Sequence, residues 1–581
     1  MRRGVGFVLT LVGLATLLSV VGVVAMLMFV SGGPDVATHS TLVLRVPGSL
    51  GETEQADLLG QWLHTPPTVR SIVDNLRKAK VDDRIDRVVL VPSIGGGLWA
   101  KVQEVRDAVL DFKTSGKPID AFLEYGGEQE YYLATACDRI FLMPVSPLDL
   151  NGVASYELFF RNALDKIGAE PDLLQIGDYK TAANTYTEAG HTPANREMSE
   201  WLNRDLYEQL IDGIADARKM SGDQVRSLVD QGPFLPQEAV RLGLVDDLAY
   251  EDEVEANGTT EGDADVARLE GEDYRQITLD SLGLNRGPKV AVIYAVGTIA
   301  SGSSGSDTSG ESVVGSDTLV KYIRLARDDD DIKAIVLRID SPGGSAIASD
   351  VIWRELSIAR ERKALVASMS DVAASGGYYI AMPAHAIVAQ PATITGSIGV
   401  VSGKFVLAGT FEKLGFDIET TSTGRFADMN SPVRRYDEAE RGKMMEMMEE
   451  VYEQFISKAA EGRGVTPDEI DAIGRGRVWT GRQALGHGLV DELGGLDQAI
   501  IRAKRHAGID ADATVELVVY PPKKSFFEIL NDPFGAVDGS EAALRMLAGR
   551  DGAATVRAAA TRLDLFRRGE PLTLMPNIFL R

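Results

Sequence analysis

The chain repeats itself at a nearly constant spacing, and this limits its fold more than any other property. Gly343-Gly344 fall on Gly96-Gly97, and Tyr378-Tyr379 on Tyr131-Tyr132, at an offset of 247 positions. Gly424 falls on Gly177 at the same offset, and Gly488-Leu489-Val490-Asp491 matches Gly243-Leu244-Val245-Asp246 at 245. Four anchors in near-constant register mean one unit present twice. In each copy short apolar runs alternate with helical periodicity. The first reads as strand Thr41 to Val46, helix Val69 to Ala79, strand Val88 to Val91, helix Val102 to Lys113, strand Ile119 to Leu123 and helix Gln129 to Ala136, closing with a helix near Arg196 to Met220. The second reads as helix Thr318 to Arg327, strand Ala334 to Ile339, helix Ile347 to Arg362 and strand Ala364 to Met369. This is the rhythm of α/β domains with mainly parallel strands.

The repeat sets the domain plan. Before the first copy, Arg2 and Arg3 precede an uncharged stretch from Gly4 to Gly33, rich in Val, Leu, Met and Phe. At about 1.5 Å per residue it is long enough to cross a hydrocarbon core of about 30 Å, and no small-residue cleavage site interrupts it. It reads as a retained signal anchor, its arginines on the cytoplasmic side and the rest of the chain across the membrane. The expected plan is an anchor and short linker at 1–40, the first copy at 41–250, an acidic linker at 251–287, the second copy at 288–507 and a tail of unknown role at 508–581. Ser301 to Gly315, poor in apolar residues, reads as a mobile loop within the second copy.

Charge and cysteine remove whole classes of function. A formal net charge of −25 without a basic cluster argues against nucleic acid as a partner. The single Cys137 excludes an internal disulfide framework and any multi-cysteine metal site.

Chemistry is concentrated in two glycine turns of the second copy. Asp340-Ser341-Pro342-Gly343-Gly344-Ser345 follows one apolar run, and Ser370 to Tyr379, containing Ser375-Gly376-Gly377, follows another. The second reads as a tight turn into a helix starting near Ala374, with Ser375 at its N-terminus, where free N–H groups would stabilise an alkoxide or an oxyanion. Either motif alone is an ordinary close-packed turn. Comparison of the copies raises their value: opposite Ser375 the first copy has Glu128, and opposite Lys180 the second has Ala427. One copy keeps a hydroxyl and the other an amine.

A serine nucleophile needs a base. The six histidines, His39, His64, His191, His385, His487 and His506, fall in turns, loops or domain ends. A lysine serves if burial brings its pKa down and no carboxylate holds its charge on. Lys180 meets this if the second copy covers it. Asp178, two positions away, argues for an ordinary charged lysine; the reciprocal loss argues against.

With Asp340-Ser341-Pro342-Gly343-Gly344-Ser345, Asp371 to Tyr378 and Thr395-Gly396-Ser397-Ile398-Gly399-Val400, the second copy closely resembles the bacterial signal peptide peptidases (protease IV) in their long two-domain form. The resemblance reaches from the anchor to about Ala507, taking in Val478-Trp479-Thr480-Gly481. It implies tandem domains of the Clp protease and crotonase fold behind a transmembrane helix, and a Ser-Lys dyad. Ser375 would be the nucleophile and Lys180 the general base, with Ser397 orienting the lysine. The N–H groups of Gly376 and Gly344 would form the oxyanion hole, Gly343 being the alternative to Gly344. It also implies apolar signal peptides as substrates, a homotetramer, no metal or organic cofactor, and a place in the bacterial inner membrane with the catalytic domains outside the cytoplasm. A crotonase-type acyl-CoA enzyme and an inactive membrane scaffold of the same fold are the competing readings.

Overall fold

The computed structural model describes residues 36–48, 50–53, 66–256, 267–307, 311–522, 570–576 and 579–580. The expected anchor within residues 1–35 lies outside them. No helix among the described residues is long and apolar enough to cross a membrane.

Each copy builds a largely parallel sheet. In the first the strand order is Asp247–Leu248, Arg139–Leu142, Ile119–Leu123, Ile85–Pro92, Ser40–Val46, Arg268–Glu270, every pair parallel. In the second the path runs Val478–Thr480, Ile394–Gly396, Ala364–Ala374, Ile332–Ser341, Lys289–Val296, Glu516–Tyr520, with only the first pair antiparallel. The central strands are apolar runs because helices cover both faces. The helix Val69–Val81 shows how they dock: Thr68 caps it by accepting from Ser71 N, and it buries Val69, Ile72, Val73, Leu76 and Ala79 along one stripe. In the second copy Ser316–Asp328 buries Leu319, Val320, Ile323 and Ala326 likewise.

A third sheet joins the copies. Its order is Gly305–Ser306, Ser312–Gly315, Thr298–Ala300, Gly343–Ser345, Leu572–Leu574, Val400–Val406, Glu170–Ile176. The last strand comes from the first copy and pairs antiparallel with Val400–Val406 of the second, from Ile176 opposite Val400 to Glu170 opposite Val406. The copies also meet through buried charges: Arg338, wholly buried, bonds Glu52 and Glu104, and Lys101 bonds Asp340.

The structure departs from the sequence reading in four places. The run 370–374 is no turn but the end of strand Ala364–Ala374, which continues because Val372, Ala373 and Ala374 pair with Ile394–Gly396; the helix begins only at Gly376. The segment expected as an acidic linker carries a helix, Glu251–Ala256, and the edge strand Arg268–Glu270, held by the buried Val254, Leu269 and Tyr274. The expected loop Ser301 to Gly315 contributes two short strands, since Val314 finds a place in the core. Beyond Asp510, Glu516–Tyr520 extends the second sheet and Leu572–Leu574 enters the third.

Candidate active site

The strand Ala364–Ala374 delivers Ser375 and the seam strand Glu170–Ile176 delivers Lys180. Ser375 is the single residue between its strand and the helix Gly376–Ala381, at φ 57 and ψ −113, a conformation costly for a side chain with a Cβ. It is held there by Ser375 N donating to Gly396 O at 2.7 Å and Tyr379 N donating to Ser375 O at 2.8 Å. On the other side the chain leaves the seam strand, turns at Gly177 and is pinned by Tyr179 N donating to Arg475 O at 2.9 Å. The Arg477 guanidinium lies 4.4 Å from the Tyr179 ring and 4.9 Å from those of Trp201 and Trp479, clamping the lysine loop onto the second copy.

These two routes meet within one chain. Lys180 Nζ stands 2.7 Å from Ser375 Oγ, 2.8 Å from Ser397 O and 3.1 Å from Ser397 Oγ, and all three residues are buried. None of these partners is a carboxylate. Asp178 turns outward to Arg475 at 2.9 Å, so it does not hold charge on the lysine. Burial alone pushes the Lys180 pKa well below the ordinary lysine value. A neutral amine at hydrogen-bond distance from a hydroxyl can accept its proton, which is the first requirement of acyl transfer.

The glycine strand Gly343–Ser345 lies beside the serine. Gly343 N already donates to Ser341 Oγ at 3.2 Å. Gly344, at φ 154, pairs with Ile299 on one side and Thr573 on the other, and a Cβ there would meet Ile299 O at 2.1 Å. Only glycine fits so close an approach.

Comparison with known proteins agrees with the duplication. The model of "Peptidase family S49" matches twice, over residues 111–264 and 358–510. The chain belongs to peptidase family S49. It is 35% identical to the chloroplastic serine protease SPPA of Arabidopsis thaliana, over 85% of this chain and 74% of that protein. It is 35% identical to Protease 4 of Salmonella typhi, over 74% of this chain and 71% of that one. Among solved structures, a membrane-bound stomatin-specific protease (1510-N, a mutant in complex with a substrate peptide) matches at 18% identity and a TM-score of 0.27, covering 42% of this chain and 97% of its own. The S49 chain is a serine peptidase, which sets aside the acyl-CoA reading.

The described histidines all have other partners. His39 pairs with Asp86, His385 accepts from Leu365 N beside His506, His191 packs near Phe159, and His487 lies 4.1 Å from the Trp479 ring. His64 lies outside the described residues. At the corresponding place in the first copy, side chains take up the turn's own polar groups: Gln129 Nε2 donates to Gly97 O at 2.8 Å, and Glu130 Oε1 accepts from Ile94 N and Gly95 N. Sequence reasoning missed the Arg477 clamp and the strand Leu572–Leu574. The Gly-Arg-Gly-Arg run 474–477 was a signal for the first; a three-residue strand after a long separation gave none for the second.

Proposed function

We propose that this S49 peptidase is a membrane-anchored endopeptidase that degrades signal peptides, through Ser375 and Lys180 acting as nucleophile and general base. One observation carries the reading: a fully buried amine with no acidic partner, 2.7 Å from a hydroxyl held in strained backbone. Ser375 Oγ attacks the scissile carbonyl carbon while Lys180 Nζ takes its proton; Lys180 then protonates the leaving amine, and water, activated by the same amine, releases the acyl-enzyme. Ser397, offering its carbonyl and hydroxyl to Nζ, orients the lysine. The N–H of Gly376 and that of Gly344 receive the oxyanion; the bond from Gly343 N to Ser341 Oγ favours Gly344 over its neighbour.

The substrate class follows from the surroundings. Beside the glycine strand Gly343–Ser345, Leu572 and Leu574 pack among apolar residues such as Leu164, Ala183, Tyr186 and Val401, surroundings suited to an extended apolar peptide. The apolar stretch from Gly4 to Gly33 would hold the enzyme where such peptides are left, with the catalytic domains outside the cytoplasm. A Clp and crotonase type fold and a homotetramer complete the reading. The test is cleavage of a synthetic signal peptide in lipid vesicles by the full chain, with Ser375→Ala and Lys180→Ala as controls. Cleavage abolished by both substitutions is expected; cleavage retained in Lys180→Ala removes the lysine from the mechanism.

A further inference from the structure

The strand that delivers Ser375 is interrupted just before it gets there. Its pairing with Ile332–Ser341 slips: Ile339 faces Met369, but Ser341 faces Ala373, so Asp340 alone stands opposite Ser370, Asp371 and Val372. On its other side the strand changes neighbours at the same point, from Ala386–Ala389 before it to Ile394–Gly396 after it. Such a bulge re-aims the end of a strand, and it leaves backbone groups without ladder partners. Here Asp340 Oδ1 accepts from Val372 N at 3.2 Å.

The bulge is held from the first copy by one residue. Lys101 Nζ lies 2.7 Å from Asp340 Oδ2 and 3.2 Å from Asp371 Oδ2, and Lys101 N donates to Asp371 Oδ1 at 3.0 Å. Lys101 stands in the first turn of the helix Ala100–Lys113, where backbone N–H groups have no partner within the helix. Trp99 offers that helix no side-chain cap, so Asp371 of the other copy caps it. At the offset of 247 the second copy has Ala348 opposite Lys101, so this bridge runs one way only. The first copy thus sends two lysines into the second, with opposite fates. Lys180 meets no carboxylate and burial favours its neutral form. Burial also works against the charge of Lys101, but Asp340 and Asp371 outweigh it and raise its pKa above the ordinary lysine value.

Each carboxylate stands four positions before a part of the site: Asp371 before Ser375, and Asp340 before Gly344. We propose that Lys101 is a positioning residue for peptide cleavage, its ammonium and backbone N–H tying the two carboxylates together and so fixing the spacing between Ser375 and the glycine strand; this rests on the Ser375–Lys180 reading above. Without the amine, two buried like charges face one another, and their repulsion drives apart the strand ends that carry the nucleophile and the oxyanion N–H groups.

The test is steady-state cleavage of a fluorogenic apolar peptide by the full chain, each rate divided by the sites titrated with a fluorophosphonate carried to completion. A role in stability alone changes how many sites are titrated, not the turnover of each. Lys101→Met should turn over about 100-fold more slowly per site, with KM within about threefold of the wild type. Adding Asp371→Asn to it removes the repulsion and should recover at least about tenfold. Asp340→Asn, of equal size, offers one acceptor oxygen where Val372 N and Lys101 Nζ use two; it should slow turnover about tenfold at unchanged KM. Turnover per site within about threefold of the wild type in Lys101→Met overturns the proposal, as does a double variant as slow as the single one. Should Lys101→Met not fold, Asp340→Asn decides by the same threshold. Ser375→Ala separates the two levels. If it still cuts the peptide, the catalytic pair falls and this proposal with it; if it is inactive while Lys101→Met runs at full rate, this proposal alone falls.

Discussion

Gly476 tests the claim that the position of Lys180 limits activity. It lies at φ 86, and a Cβ there would stand 2.3 Å from Lys180 N and 2.4 Å from Lys180 Cα. Unbonded atoms of this kind settle at about 3.5 Å or more, so the lysine backbone must retreat by roughly 1 Å. No flexible tip absorbs the shift, because the opposing atoms are main chain. The amine starts 2.7 Å from Ser375 Oγ, and a retreat of that size takes it out of proton-transfer range. Misplacement of about 1 Å costs about 100-fold in rate. Gly476→Ala should therefore lower kcat about 100-fold with little change in KM, read with a fluorogenic apolar peptide. The left-handed backbone adds about 1–2 kcal/mol of instability. Gly464→Ala is the control, since Gly464 caps a helix at φ 68 with nothing within 4 Å of its Cβ. It should lose similar stability and keep its rate. The reasoning fails if Gly476→Ala stays within about threefold of the wild type, or if both variants lose rate equally.

The other expectations come from the same geometry. Activity should rise with pH as Lys180 loses its proton, with an inflection well below the ordinary lysine value of 10.5; an inflection at or above it would rule out a buried amine as base. Lys180→Met should lose about 10²- to 10⁴-fold in rate. It should also gain stability at neutral pH. Between the depressed folded pKa and the ordinary 10.5 the unfolded chain binds more protons than the folded one, so the buried amine costs about 1.4 kcal/mol per unit of depression. That gain, followed by denaturant unfolding, should vanish as the pH approaches 10.5; a constant gain would contradict the linkage. Arg338→Met strands Glu52 and Glu104 between the copies and should cost about 3–5 kcal/mol, a loss under about 1 kcal/mol being inconsistent with a buried charge cluster. Arg477→Ala removes the stack on Tyr179, Trp201 and Trp479 and should cost about 1–2 kcal/mol while slowing kcat more than it raises KM.

Much of the architecture was legible because the residues that build it act locally. Apolar runs such as Val88 to Val91 and the stripe of Val69, Ile72, Leu76 and Ala79 mark strand and helix by period alone. The same locality explains the failures. Nothing in Ser370 to Ala374 distinguishes a small-residue turn from a strand; pairing with Ile394–Gly396 decides it. The acidic stretch after Glu251 was read from its composition, whereas three buried side chains, Val254, Leu269 and Tyr274, were enough to bind it to the first sheet. Ser375 and Lys180 could be singled out by comparing the copies, and the structure brings them together. The strand Leu572–Leu574 could not, since it exists only through residues far away in the chain.

Duplication explains why the amine can stay neutral. A lysine placed on its own copy's surface would find water or a carboxylate, and either restores its charge. Here the seam strand Glu170–Ile176 leaves the first copy and adds to a sheet of the second, so Lys180 is enclosed by residues such as Ser397, Gly476 and Ser375 that all belong to the other copy. Asp178, its nearest acidic neighbour in sequence, is drawn outward by Arg475, also from the other copy. Once the second copy supplied the enclosure, the first no longer needed an open glycine turn, and Gln129 and Glu130 now consume polar groups around it. The loss of the serine from one copy and of the lysine from the other are then two consequences of one packing arrangement. If so, restoring a serine at Glu128 should create no second reactive hydroxyl. With Gln129 and Glu130 still in place, a fluorophosphonate should label Glu128→Ser only at Ser375, and labelling at position 128 would show that the first turn remains open.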